Sequence, residues 1–286
     1  MRDQASTLRD MASSRESKKK MRVIAVTSGK GGVGKTSLTV NLALALAEYG
    51  QRVIILDGDL GLANVDIALG LTARYTIEHL FSGEKTIEEI LLTGPKGVGV
   101  IPGGSGVQEL ANIERDKLSN VLANLGRLEK MADILLIDTG AGLGHTVTNF
   151  LKTADDIIMV TTPEPTALTD AYGLLKTLKK EASDIPIHVV VNRVRTEADA
   201  LTTFKRLEMA VHKFLNSSLN LMGWIYDDPL VGRSVMMQDP LGVSYSESSA
   251  YSCIQWIASQ VAGIYLNPPR QADGVRGFLG KLLRLF

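Results

Sequence analysis

Eight consecutive residues, Gly29-Lys30-Gly31-Gly32-Val33-Gly34-Lys35-Thr36, constrain this chain more than any other feature. They follow a β-branched apolar run at 22–27 and open an amphipathic segment at 37–49, so they read as the turn between a strand and a helix. Glycines at four of the eight positions let backbone N–H groups turn inward, and the helix N-terminus behind them adds partial positive charge. Such a turn holds phosphate. Gly29 to Ser37 are the expected phosphate contacts, with Gly29, Gly31, Gly32, Val33 and Gly34 lending backbone. Lys35 reaches the β and γ phosphates of a nucleotide, and Thr36 ligates Mg²⁺.

The rest of the chain fits around that turn. Near-continuous apolar runs at 52–56, 98–101, 134–137, 157–162, 187–191 and 221–225 read as strands covered on both faces. Between them, Leu38, Leu42, Ala45, Leu46 and Tyr49 form one stripe ended by Gly50, and Leu201, Phe204, Leu207, Val211 and Phe214 form a second. Alternating strands and helices predict an α/β fold, a doubly wound, mostly parallel sheet with helices on both faces. Ligands of such sheets sit beyond the carboxyl ends of the strands. Two acidic stations arrive there: Asp57-Gly58-Asp59, and Asp138-Thr139-Gly140-Ala141-Gly142. Hydrolysis of a phosphoanhydride needs one carboxylate to orient water and another to hold the Mg²⁺ shell.

Composition narrows the alternatives. Formal net charge is +0, so no global field favours nucleic acid, and nucleic acid is not an expected partner. The single cysteine, Cys253, cannot form an internal disulfide or build a thiolate cluster, which excludes an iron–sulfur reductase and suits a reducing cytoplasm. His79, His145, His188 and His212 show no metal-ligand spacing, and Trp224 and Trp256 read as core or interface residues. No run approaches the ~18 apolar residues that span a bilayer, and nothing in residues 1–20 resembles a signal peptide.

The extra lysine, Lys30, is what a general phosphate loop does not require. The loop GKGGVGKT resembles the deviant Walker A ATPases, the family of MinD and the ParA partition proteins, and the resemblance runs from about Met21 to Leu266. It implies ATP as the nucleotide and an ATP-dependent homodimer, with Lys30 contacting phosphates in the other subunit. It also implies Asp59 as the water-positioning residue, Asp138 as the Walker B aspartate and Gly142 as a sensor of the γ-phosphate. Asp57 takes a secondary Mg²⁺ role beside Thr36 and Asp138. Asn192 and Arg193 resemble the adenine-binding pair, and residues 227–231 lie where relatives close over the purine.

Three stretches resemble the flagellar number and placement branch of that family, FlhG, also called FleN. They are residues 59–66, Thr162-Pro163-Glu164-Pro165-Thr166-Ala167-Leu168-Thr169-Asp170-Ala171-Tyr172, and the N-terminal Asp3-Gln4-Ala5-Ser6-Thr7-Leu8-Arg9. The last resembles a motif that stimulates the signal-recognition-type (SRP-type) GTPase FlhF. Asp3, Gln4, Ala5, Leu8 and Arg9 are thus the expected GTPase contacts, and flagellar switch-complex proteins are further implied partners. Without a partner, 1–20 would be a disordered tail.

After a linker at 267–274, Val275, Phe278, Leu279, Leu282, Leu283 and Phe286 share one helical stripe, with Arg276, Lys281 and Arg284 off it. Bulky apolar residues opposite purely cationic ones suit a helix lying in an anionic membrane surface, or one packed on the core or a partner. One such helix binds marginally, but two on a dimer gain avidity of ~10²-fold or more, so ATP could set location at the inner face of the cell membrane. The organisation expected is a partner-activating tail at 1–20, an ATPase domain at 21–266, the linker, and a membrane-targeting helix at 275–286. Two other functions share the same loop: a ParA-like ATPase acting on DNA, and a nucleotide-sensing adaptor with negligible turnover.

Overall fold

The structure, a computed structural model, describes residues 20–59, 64–104, 124–181 and 185–269. The expected GTPase contacts Asp3 to Arg9 and the expected membrane residues Val275 to Phe286 lie outside the described residues, as do 60–63 of the stretch 59–66.

Eight strands form one sheet in the order β3-β4-β2-β5-β1-β6-β7-β8. They are β1 (Arg22–Ser28), β2 (Val53–Gly58), β3 (Leu92–Thr93), β4 (Gly99–Ile101), β5 (Ile134–Ala141), β6 (Asp156–Thr161), β7 (Ile187–Val194) and β8 (Asn220–Tyr226). All neighbours run parallel except β3, which pairs antiparallel with β4 at one edge. The apolar runs form strands because both faces are covered: β2 is buried along its whole length, and β5 along its first six residues. Every strand expected from the sequence is present within a few residues. The two-residue β3 has no period to betray it.

The longer helices are α1 (Lys35–Glu48), α2 (His145–Thr153), α3 (Pro165–Glu181), α4 (Glu197–Leu215), α5 (Pro229–Met237) and α6 (Ser249–Val261). Helices α1 and α6 pack against each other, while α2, α3 and α4 form a second row. Two expectations about helix faces need correction. Helix α1 buries Val40, Ala43 and Leu44 as well as Leu38, Leu42, Ala45 and Leu46, so it has no solvent face over its middle turns. The sheet lies on one side of it; on the other, the Gly242 N–H donates to Asn41 Oδ1 (3.0 Å) and the Tyr251 hydroxyl and Gln255 amide of α6 donate to Glu48. Gly50 does end the helix, with a positive φ of 77° that a side chain would resist.

In α4 the buried residues are Ala200, Thr203, Phe204, Leu207 and Val211, whereas Leu201 and Phe214 are exposed. The stripe is set by the small residues Ala200 and Thr203, which let the helix close onto β7 and β8. Phe214 instead meets Tyr172 of α3 edge to face at 6.4 Å. Cys253 is buried in α6, and burial pushes its thiol up to about 11, which leaves it unreactive. Trp224 is a core residue, in edge contact with Trp256 at 4.9 Å. No described helix is long and apolar enough to cross a membrane.

A tight seam lies where β8 passes under α6. A Cβ added at Gly223 would stand 2.9 Å from both Ile257 Cγ1 and Trp256 Cζ3. Gly223→Ala should therefore overpack this seam and cost about 1–3 kcal/mol. A fall in the urea midpoint at unchanged slope checks it; an unchanged midpoint would mean that the seam is slack.

Candidate nucleotide site

Strand β1 occupies the middle of the sheet, between β5 and β6, so the loop leaving it emerges at the centre of the carboxyl edge. The loop is held open by geometry that excludes larger residues. Gly32 and Gly34 have φ values of 75° and 97°, and a Cβ on Gly34 would collide with the Asn192 amide. At Gly29 a Cβ would strike the backbone of Asp170 and Ala171, so α3 is seated directly on the start of the loop. The Ser28 hydroxyl donates to the Lys30 carbonyl at 2.7 Å, and the Gly142 N–H donates to the Ser28 carbonyl at 3.0 Å. The second acidic station is thereby tied to Ser28, the last residue of β1 before the loop.

Lys35 and Thr36 are the first residues of α1. The Thr36 hydroxyl donates to Asp138 Oδ2 at 2.6 Å, and the Thr39 hydroxyl, one turn on, lies 3.0 Å from Asp138 Oδ1. Sheet register places Asp138 beside Asp57, its partner on β2. Both carboxylates are almost wholly buried. Burial, reinforced by the Asp57 charge, pushes Asp138 up to about 6, against the opposing pull of Thr36, Lys35 and Thr39. Burial likewise raises Asp57 and lowers Lys35, the latter opposed by the charges of Asp138 and Asp59. Asp59 is half-buried next to Gly140, where an added Cβ would stand 3.4 Å from its Oδ1. Lys35 therefore lies between carboxylates brought by two different strands.

Lys30 projects away from this group. Its Nζ pairs with Glu164 Oε2 at 2.9 Å and donates to the Thr166 hydroxyl oxygen at 3.0 Å, and the Glu164 pairing holds that carboxyl below the usual range. Both partners of the ion pair are substantially exposed.

A hollow of about 600 Å³ opens beside Gly34 and Ser37 and is walled by Asn192, Arg193, Tyr226, Asp227, Asp228, Pro229, Val231, Gly232 and Val235. Asn192 is more constrained than a freely reading amide. Its Nδ2 donates to the Val33 carbonyl at 2.7 Å, and its Oδ1 accepts from the Arg193 N–H at 2.8 Å, with Arg193 at a φ of 57°. Asp228 caps α5 by accepting from the Leu230 N–H at 3.0 Å and takes the Ser249 hydroxyl at 2.8 Å, so it fixes the wall.

The fit to a nucleotide with Mg²⁺ is good on chemical grounds. Thr36 and Asp138 present hard oxygens and nothing soft, as Mg²⁺ prefers. Among the described residues no group of three or more His, Cys, Asp or Glu side chains is placed to hold a metal ion. The hollow has room for a purine, with an apolar wall at Val231 and Val235. Thr39, Glu164 and Thr166 were not assigned roles from sequence. Thr39 had a signal, since it lies one helical turn from Thr36; Glu164 and Thr166 meet Lys30 only through the fold.

Residues 21–189 match the family model described as an AAA domain. The antiactivator FleN of Pseudomonas aeruginosa is 36% identical over 241 residues, covering 84% of this chain and 86% of that protein. The flagellum site-determining protein YlxH of Helicobacter pylori is 35% identical over 222 residues, covering 77% of this chain and 74% of that protein. Among solved structures, the septum site-determining protein MinD of Pyrococcus horikoshii, complexed with Mg-ADP, aligns with a TM-score of 0.67 at 28% identity, covering 84% of this chain and 96% of that one.

The raised Asp138 carboxyl sets a sign for stability. Because its folded pKa lies above the unfolded one, its charge opposes folding at neutral pH, and that penalty fades as pH falls from about 6 into the ordinary aspartate range. Asp138→Asn should thus stabilise the nucleotide-free protein at pH 7.5, by up to about 3 kcal/mol, with the gain gone near pH 4. Thermal unfolding of both proteins across that range checks it; equal stability at pH 7.5 would contradict the assigned penalty.

Proposed function

The chain belongs to the MinD/ParA family of P-loop ATPases, and from that membership we propose that it binds and slowly hydrolyses ATP to regulate flagellar number and placement. What supports an ATPase most directly is the meeting of Lys35, Thr36 and Asp138 at one buried point, with Asp59 beside them and an adjoining hollow large enough for a base. Support for the flagellar assignment comes from the similarity to FleN and YlxH.

In the proposed reaction the loop amides of 29–37 and the Lys35 ammonium neutralise the phosphates, and the Asn192–Arg193 turn and residues 227–231 hold the base. Thr36 and Asp138 would hold Mg²⁺. The ion supplies charge neutralisation on the β and γ oxygens. Asp59 orients a water whose oxygen bonds to the γ-phosphorus as the bond to the bridging oxygen breaks, giving ADP and phosphate.

Lys30 acts in trans. In the monomer it rests on Glu164 and Thr166, an exposed pairing that contributes little stability and releases it readily. Two chains closing face to face on ATP would each offer Lys30 to the other's phosphates. Dimerisation then doubles the C-terminal segments 275–286 presented to an anionic membrane, so ATP drives cycling on and off the surface. Residues 3–9 stimulate the SRP-type GTPase FlhF, and the flagellar switch complex is a further partner.

Size-exclusion chromatography with ATP or ADP, alongside ATPase rates, tests this. Asp59→Ala should dimerise with ATP and turn over about 10²-fold more slowly or worse, whereas Lys30→Ala should stay monomeric. If nucleotide never alters oligomeric state, the dimer switch is wrong. Removing 1–20 should abolish stimulation of purified FlhF while leaving ATP turnover intact, and removing 275–286 should end ATP-dependent sedimentation with anionic liposomes. Retention of either activity rejects the corresponding segment.

A further inference from the structure

Asp57 is the residue whose environment least matches a simple place in the Mg²⁺ shell. It lies one residue before the end of β2 at 1% exposure, beside Asp138 in the sheet, yet its oxygens are turned to backbone. Oδ1 accepts from the Asp59 N–H at 3.1 Å. Oδ2 accepts from the Asn64 N–H at 2.8 Å and from the Val65 N–H at 3.0 Å. Val65 is fully buried at the start of the short helix Val65–Ala68, which anchors that end of the segment in the core. Adjacent carboxylates thus have different company: Asp138 takes hydroxyls from α1, and Asp57 takes amides from both ends of the segment that begins with Asp59.

We propose that Asp57 is a positioning residue, a carboxylate clasp that draws residue 59 and residues 64–65 onto one buried side chain and thereby fixes where the Asp59 carboxylate stands against Gly140 and Lys35. Three amides on one anion are charge-assisted hydrogen bonds, and they offset the cost of burying a charge next to Asp138. Neutralising that anion frees both ends of the segment together. The clasp rests on the role of Asp59 proposed above, since it acts on turnover only through Asp59.

The test is Asp57→Asn, which keeps the shape but turns an amide NH₂ toward at least one of the three N–H donors. At saturating ATP and Mg²⁺, kcat should fall about 10- to 100-fold, the loss expected when hydrogen bonds to a charged group are removed. KM for ATP and the Mg²⁺ concentration for half-maximal rate should stay within about twofold. In an Asp59→Ala background the same substitution should cost nothing more in single-turnover rate, because residues acting through one another are not additive. A rise in the Mg²⁺ requirement, with kcat restored by excess Mg²⁺, would make Asp57 a metal-shell ligand instead and overturn the clasp. So would an undiminished kcat, or full additivity with Asp59→Ala. If Asp59→Ala itself turns over normally, the water-positioning role falls; if it is inactive while Asp57→Asn is normal, only the clasp falls. Hydrogen exchange on the unaltered protein gives a measurement independent of any variant. The Asp59, Asn64 and Val65 amides should open with a common rate, and unrelated rates would reject the clasp.

Discussion

Asp138 carries a charge within a central strand, β5, where water hardly reaches, and a buried carboxylate persists only where donors and a counter-charge meet it. All of its close partners come from the first turn and a half of one helix: Lys35, Thr36 and Thr39. That requirement sets where α1 begins, how close it lies to β5, and therefore how the glycine loop must turn between β1 and the helix. Once α1 is placed, Gly34 falls against Asn192 and Gly29 against α3. The hollow beside Asn192 and the glycine loop are then parts of one packed arrangement.

The electrostatics run the same way. Lys35 and Asp138 are each driven toward neutrality by burial and each held charged by the other, so neither is at ease without an anionic ligand and a cation to complete the set. A site in this condition sacrifices stability for function, as groups poised for chemistry often do. The contrast with Lys30 is instructive. Its ion pair with Glu164 lies at the surface, where solvent screens it and separation costs little.

Much of this was legible from the residues. Strands buried on both faces leave continuous apolar runs, and the glycine loop between such a run and a helix has few other uses, so the sheet, the loop and both acidic stations could be located in advance. What escaped were features with no side-chain code. The all-round burial of α1 depends on α6, more than 200 positions away, and no local period announces a second covering layer. Phe214 read as core because it keeps the spacing of Phe204, Leu207 and Val211, but the surface of α4 turns past the sheet before reaching it. The partners of Asp57 are backbone amides, which every sequence possesses and none advertises.

The enclosure of α1 has a dynamic corollary. A helix gripped by a sheet beneath and by Asn41, Tyr251 and Gln255 contacts above cannot tilt without unpacking the core. The helix that carries Lys35 and Thr36 is therefore a stationary support for the glycine loop that precedes it.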